Sequence, residues 1–390
     1  MRSEWHIVRA ADFINFNPRL SIKKGELATK IAMDKLKPFT KKIPETERAI
    51  FSGGSKFCNG DTIMARITPC LENGKTAFVD CLEDKEVAFG STEFIVLRAI
   101  EGVSDSQFVY YLAISPIFRK AAIQSMVGSS GRQRVQQGVL DELELIVPSL
   151  DCQRKIGDFL GRIDEKIALN SKINDNLLGQ MQALYKSWFV DFLPFGGSKP
   201  RTWTETDIYS LANIIYGAPF KSKQFNTDGV GTPIIRIRDL KDQQFATYTT
   251  EIHPKGYLLQ PGDIVVGMDG EFRPYIWGND GAWLNQRVCV FENKRPNGKA
   301  FLYFTIKPLL YGIEQTQVAT TVIHIGKKDF DAFEITLPDA STLDDFDALT
   351  TPMMRVIVSN CFENKRLAAL RDILLPKLMS GEIDVSDIQL

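Results

Sequence analysis

Seven consecutive residues, Gly128-Ser-Ser-Gly-Arg-Gln-Arg134, gather hydrogen-bond donors on a permissive backbone. The glycines let the main chain approach a phosphate, and Ser129 and Ser130 can donate hydroxyls to its oxygens. Arg132, Gln133 and Arg134 carry the donors and acceptors that pair with guanine or adenine edges. The plainer alternative is a surface loop with two solvated arginines. Arg66 and Lys75 flank a turn and suit phosphate, unless they make only surface ion pairs. Lys221 and Lys223 offer the same chemistry further along. Asp269, Glu271 and Arg273 follow a β-prone run. There an acid such as Asp269 can accept from cytosine N4, and Arg273 can reach guanine. Asn285, Gln286 and Arg287 have suitable groups but abut another β-run, so one or two of them are expected to be structural. Thr320 and Thr321 take the place that Ser129 and Ser130 hold earlier in the chain.

None of these residues makes a catalyst. Asn17-Pro-Arg-Leu20 lacks the aromatic that a base-flipping methylation motif needs for stacking. No glycine-rich cofactor loop follows a strand, and Asn73-Gly-Lys75 is too short to be a Walker motif. Glu83-Asp-Lys-Glu86 reads as solvated loop charge. Six cysteines (58, 70, 81, 152, 289 and 361) lack ligand-like spacing and fit idle thiols in a reducing compartment. Three histidines (6, 253 and 324) are too dispersed for a metal site. His324 reads as a strand residue, and Tyr275, Trp277 and Trp283 as core. No metal or cofactor is expected.

The elements that position these residues follow from a repeat. Leu143-Glu-Leu-Ile-Val-Pro148 returns as Phe333-Glu-Ile-Thr-Leu-Pro338, a strand and a proline offset by 190 residues. At the same offset Asn170 meets Asn360 and Asn174 meets Asn364. Two such copies argue for a duplicated module with a pseudo-two-fold. After the first copy, Ile156, Leu160, Ile163, Ile167, Asn170, Asn174, Leu177, Met181, Leu184 and Trp188 form a heptad seam. It predicts a helix of about 33 residues, roughly 50 Å long. After the second, Met353, Ile357, Asn360, Asn364, Leu367, Leu374 and Leu378 supply its partner. Pro352 fits a first helical turn, so this helix is expected to run from there to about Met379. The polar lead-in Asp344-Asp-Phe-Asp347 precedes it, Arg371 interrupts its seam, and Pro376 should fray or kink its end. Packed antiparallel, the two helices would face Asn170 with Asn364 and Asn174 with Asn360. Such buried amides fix register at a cost in stability; the alternative is that they are ordinary solvated positions. A single helix is expected over Ser106 to Ser125, and Gly262-Asp263 echoes the turn at Gly60-Asp61.

The expected fold is therefore α+β: globular domains at 1–149 and 196–339, with the first long helix within 150–195 and the second, with a C-terminal tail, within 340–390, packed as an antiparallel coiled coil. The chain has 390 residues, 44% of them hydrophobic, ample for two domains. Its net charge of −1 is uninformative, since balance can hide basic faces. No apolar run reaches membrane-spanning length, Trp5 and His6 sit in surroundings too polar for a signal peptide, and a cytoplasmic location is expected.

This layout resembles the DNA-specificity subunit of type I restriction-modification systems. The likeness rests on Gly60-Asp-Thr-Ile-Met-Ala-Arg-Ile-Thr-Pro-Cys70 with Asn73-Gly-Lys75, Gly90-Ser-Thr-Glu93 and Gly131-Arg-Gln-Arg-Val135 in the first half. In the second half it rests on Gly217-Ala-Pro-Phe-Lys-Ser-Lys-Gln-Phe225, Gly262-Asp263 and Leu284-Asn-Gln-Arg-Val288. The resemblance implies a non-catalytic protein whose two target-recognition domains read the halves of a split, asymmetric site on double-stranded DNA, with the helices setting the gap. It also implies two modification (methyltransferase) subunits and, through the complex, restriction subunits as partners. The alternative from another class is a coiled-coil adaptor that binds proteins and not DNA.

Overall fold

The computed structural model describes residues 5–129, 131–316 and 324–385. The chain divides into two compact units, residues 1–168 with 366–390, and 169–365.

In the first unit, His6–Arg9 pairs antiparallel with Glu144–Val147, the strand before the first repeated proline. Leu145 and Val147 point inward and Glu144 and Ile146 outward, the alternation of a half-buried strand. An antiparallel sheet orders Ile14–Phe16, Phe94–Ala99, Thr62–Ala65 and Thr76–Phe78. A second sheet orders Glu47–Ile50, Leu27–Ile31, Ala88–Gly90 and Lys56–Phe57, with its middle pair parallel. The expected single helix is two, Ser106–Ile114 and Pro116–Gln124. Ser115 lies in an extended conformation between them because proline follows it, and its hydroxyl caps the second.

The second unit rebuilds the strand pair and the antiparallel sheet from a different sequence, and its other sheet carries the parallel pair at the edge. Thr204–Asp207 pairs with Glu334–Leu337. One sheet orders Ala212–Tyr216, Val288–Asn293, Ile264–Gly267 and Pro274–Ile276; the other orders Phe225–Asn226, Tyr248–Thr249, Thr232–Ile235 and Trp283–Leu284, again with one parallel pair. The Gly-Asp echo is a shared turn. Gly60 and Gly262 have φ of +89° and +84°, where glycine carries no steric cost. Asp61 then accepts from the Cys58 amide at 2.8 Å and Asp263 from the Gln260 amide at 2.7 Å.

The two long helices are Leu150–Phe189 and Ala340–Met379, 40 residues each. Both exceed expectation, and the second is not the shorter. It starts twelve residues before Pro352, capped by the Asp339 carboxylate, which accepts from the Thr342 amide at 3.0 Å. The acidic lead-in is helical because Arg295 neutralises it, 2.6 Å from Asp344 and 3.0 Å from Asp347, while Leu343 and Phe346 bury on the other side. Pro352 sits inside the helix, and Pro376 does not end it before Met379.

In the second unit the helices run antiparallel. Asn170 donates to the Asn364 side-chain oxygen at 2.9 Å, and Asn360 donates to that of Asn174 at 2.8 Å. Asn170 also donates to Glu363 at 2.7 Å. In the first unit the break at Arg371 is a buried ion pair: its Nη1 lies 2.6 Å from Asp164. The Tyr111 hydroxyl donates to the other Asp164 oxygen at 2.6 Å. Lys41 closes the cluster, donating to Gln107 and, at 3.3 Å, to Tyr111. Burial lowers the Lys41 pKa to about 8, against the opposing pull of Asp164. Ile156 and Leu160 share this unit's core with Leu375, Leu378 and Met379.

Candidate nucleic-acid interface

Three loops meet at the end of the antiparallel sheet in the first domain. The Arg66 amide donates to the Glu93 carbonyl at 2.9 Å, and the Arg66 carbonyl accepts from the Val135 amide at 2.8 Å. Arg134 is bridged to both Ile67 and Val127. The turn after Thr62–Ala65, the turn before Phe94–Ala99 and the loop 127–136 are thereby fastened together.

The second domain repeats both backbone hydrogen bonds of the junction and one of its two bridges. The Met268 amide donates to the Arg287 carbonyl at 2.8 Å, and the Met268 carbonyl accepts from the Ile325 amide at 2.9 Å. Asp269 is bridged to His324. Ile67 thus corresponds to Asp269, Glu93 to Arg287, and Arg134 to His324.

The side chains at these places differ, but each junction sets a shielded carboxylate beneath half-exposed cationic or imidazole groups. Arg134 donates through Nε to both Glu93 oxygens at 3.0 Å and through Nη2 to one of them at 2.7 Å. This holds the Glu93 carboxyl below the usual carboxylate range. In the second domain, Asp269 bonds the His324 ring at 2.6 Å and lies 3.9 Å from the Arg287 guanidinium. Arg287 has φ of +71°, a left-handed conformation that a residue with a Cβ adopts at a cost of about 1–2 kcal/mol.

The remaining candidates separate by exposure. Ser129 and Arg132 are exposed and Gln133 half-buried, and among the described residues Arg132 and Gln133 make no side-chain hydrogen bond. Lys221, Lys223 and Gln286 are exposed as well. Arg66 instead turns one Nη to the Val135 carbonyl at 3.3 Å, and Lys75 donates to the Met33 carbonyl at 2.9 Å. Arg273 is paired with Glu314 and lies over the Tyr311 ring. Asn285 is buried, 7% exposed, and its side-chain oxygen has no hydrogen-bond partner among the described residues. Ser130, Thr320 and Thr321 lie outside the described residues. Trp277 is fully buried, and Tyr275 and Trp283 partly so.

Two junction residues were not among the sequence candidates, Glu93 and His324. The signal for His324 was present: it lies at the repeat offset of 190 from Arg134. Glu93 ends the Gly90-Ser-Thr-Glu93 motif that carries the family resemblance, but nothing local marks its carboxylate as the partner of an arginine 41 residues away. Among the described residues no group of histidine, cysteine or acidic side chains could hold a metal ion. No described helix is long and apolar enough to cross a membrane.

The model of the type I restriction modification DNA specificity domain matches residues 2–178 and 200–355. The HindI specificity subunit of Haemophilus influenzae is 26% identical, covering 83% of this chain and 86% of its own. The MjaIX specificity subunit of Methanocaldococcus jannaschii is 23% identical over 73% of this chain and 70% of its own. Similarity to the EcoBI specificity subunit of Escherichia coli is higher but local: 37% identity over 35% of this chain, spanning 29% of that subunit's length. The crystal structure of the type I restriction-modification S subunit from M. genitalium shares the fold, with a TM-score of 0.53 at 15% identity over 96% of each chain.

Proposed function

From a chain that belongs to the type I restriction modification DNA specificity family, we propose a subunit that reads a bipartite, asymmetric site on double-stranded DNA, one half with each domain. The target-recognition domains are residues 1–149 and 196–339, and the long helices between them set the gap. The observation that supports this reading best is the junction built twice on unrelated side chains. A shared backbone frame carrying different polar groups suits two domains that read different bases. Ser129, Arg132, Gln133 and Arg134 serve the first half-site. Lys221, Lys223, Asp269, Gln286 and Arg287 serve the second, with phosphate contacts from the lysines. The subunit is non-catalytic and cytoplasmic. It directs two methyltransferase subunits and, through the complex, the restriction subunits.

The test is genome-wide methylation mapping in cells expressing this chain with the methyltransferase subunit encoded beside it. The expected result is a split motif with a fixed gap that vanishes when this chain is deleted. Deleting one helical turn from both long helices should shorten that gap. A methylation pattern indifferent to the chain, with the partner shown to be active, would reject the reading.

A further inference from the structure

We propose that Arg134 reads a guanine in the first half-site and that Glu93 is its positioning residue. The inference rests on the proposed DNA-reading function and adds a base and a mechanism to it. Glu93 occupies the Nε and Nη2 edge of the guanidinium. The opposite edge, between Nη1 and Nη2, keeps two N–H donors in one plane, the spacing that matches O6 and N7 of guanine in the major groove. The Arg134 side chain is 45% exposed and Glu93 only 24%, so the carboxylate is the more shielded member of the pair, and Nη1 has no hydrogen-bond partner among the described residues. The backbone beneath is fixed as well, because Arg134 is bridged on both sides and the next residue is hydrogen-bonded to Arg66.

Arg132, two residues away, is exposed with no side-chain partner among the described residues. It would lose its rotamer freedom on binding, whereas Arg134 has already lost it. A preset fork suits base discrimination, and a mobile cation suits phosphate. In the second domain the same place carries His324, held by Asp269. The effect is therefore confined to one half of the site.

The experiment compares the chain with R134K and E93Q variants, each assembled with its methyltransferase. The readouts are methylation motifs in cells and binding by the purified complexes to duplex libraries randomised at the first half-site. The original motif should contain a guanine in that half. R134K keeps the charge but loses the fork, and preference at that one position should fall by about 10- to 100-fold. E93Q should lose roughly tenfold at the same position, with the second half-site, the gap and thermal unfolding unchanged. An unchanged motif in R134K would overturn the assignment. So would weaker binding to all sequences alike, the signature of a phosphate contact. Loss of the whole motif with unfolding unchanged would also overturn it, since one base contact does not carry all the binding. No split motif in the unmodified complex would instead reject the DNA-reading function itself.

Discussion

Replacing Arg371 by leucine restores the heptad pattern and should nevertheless destabilise the first unit. Asp164 is 5% exposed and its two oxygens are satisfied by Arg371 and Tyr111. In R371L one oxygen of a buried carboxylate loses its charged partner, a change that costs about 3–5 kcal/mol. The double variant D164L/R371L removes both charges and leaves the Tyr111 hydroxyl without its acceptor, a loss of about 1–3 kcal/mol, while exposed Asp372 loses its Arg371 contact at little cost and Lys41 keeps its bond to Gln107. It should therefore be more stable than R371L by roughly 2 kcal/mol. Four of the five tryptophans (188, 203, 277 and 283) lie in the other unit, so fluorescence would report the wrong half. Native-state hydrogen exchange of peptides from 105–114 and 366–379 reports the right one. An R371L variant within about 1 kcal/mol of the parent at pH 7, or a double variant no more stable than R371L, would refute the buried-pair assignment.

N170L with N174L should leave the Asn364 and Asn360 amides facing leucine and loosen helix register. An unchanged gap between half-sites together with an unchanged monodisperse species would count against this. Lys41 has a folded pKa of about 8, below its ordinary 10.5. The unfolded state therefore binds more protons between these values, and stability rises with pH through that window. Relative to K41M, the parent should gain about 3 kcal/mol from pH 8 to 10.5 and show a flat difference below pH 7, read by urea unfolding. A difference that falls with rising pH would refute the assignment.

The sequence carried the fold wherever periodicity and duplication act together. The offset of 190 placed both strand-proline pairs on equivalent strands, and an antiparallel pair related by a two-fold midway between the asparagines sets Asn170 against Asn364, the counterpart of Asn174. What sequence could not supply was tertiary compensation. Arg371 reads as a defect until Asp164 is beside it, and the acids before Pro352 read as a lead-in until Arg295, about fifty residues earlier, neutralises them. The apolar spacing over Ser106 to Ser125 reads as one helix, while Ser115-Pro116 within it marks the break, since the residue before proline is driven out of the helical region. In the interface, residue type indicated donors but not partners. Arg66, Lys75 and Arg273 turned inward onto protein acceptors, a choice set by neighbours far away in sequence.

The composition of the first unit has a consequence for synthesis of the chain. Its core contains Leu375, Leu378, Met379 and Val385 alongside Phe13, Ile156 and Leu160. Residues 169–365, which complete the other unit, must be translated in between. At about 5–20 residues per second, a nascent first unit waits roughly 10–40 s for those side chains. During that interval its apolar face is open, and the later-encoded unit has all of its own residues by the time Arg366 is added. The half of the molecule that leaves the ribosome first is the last to close.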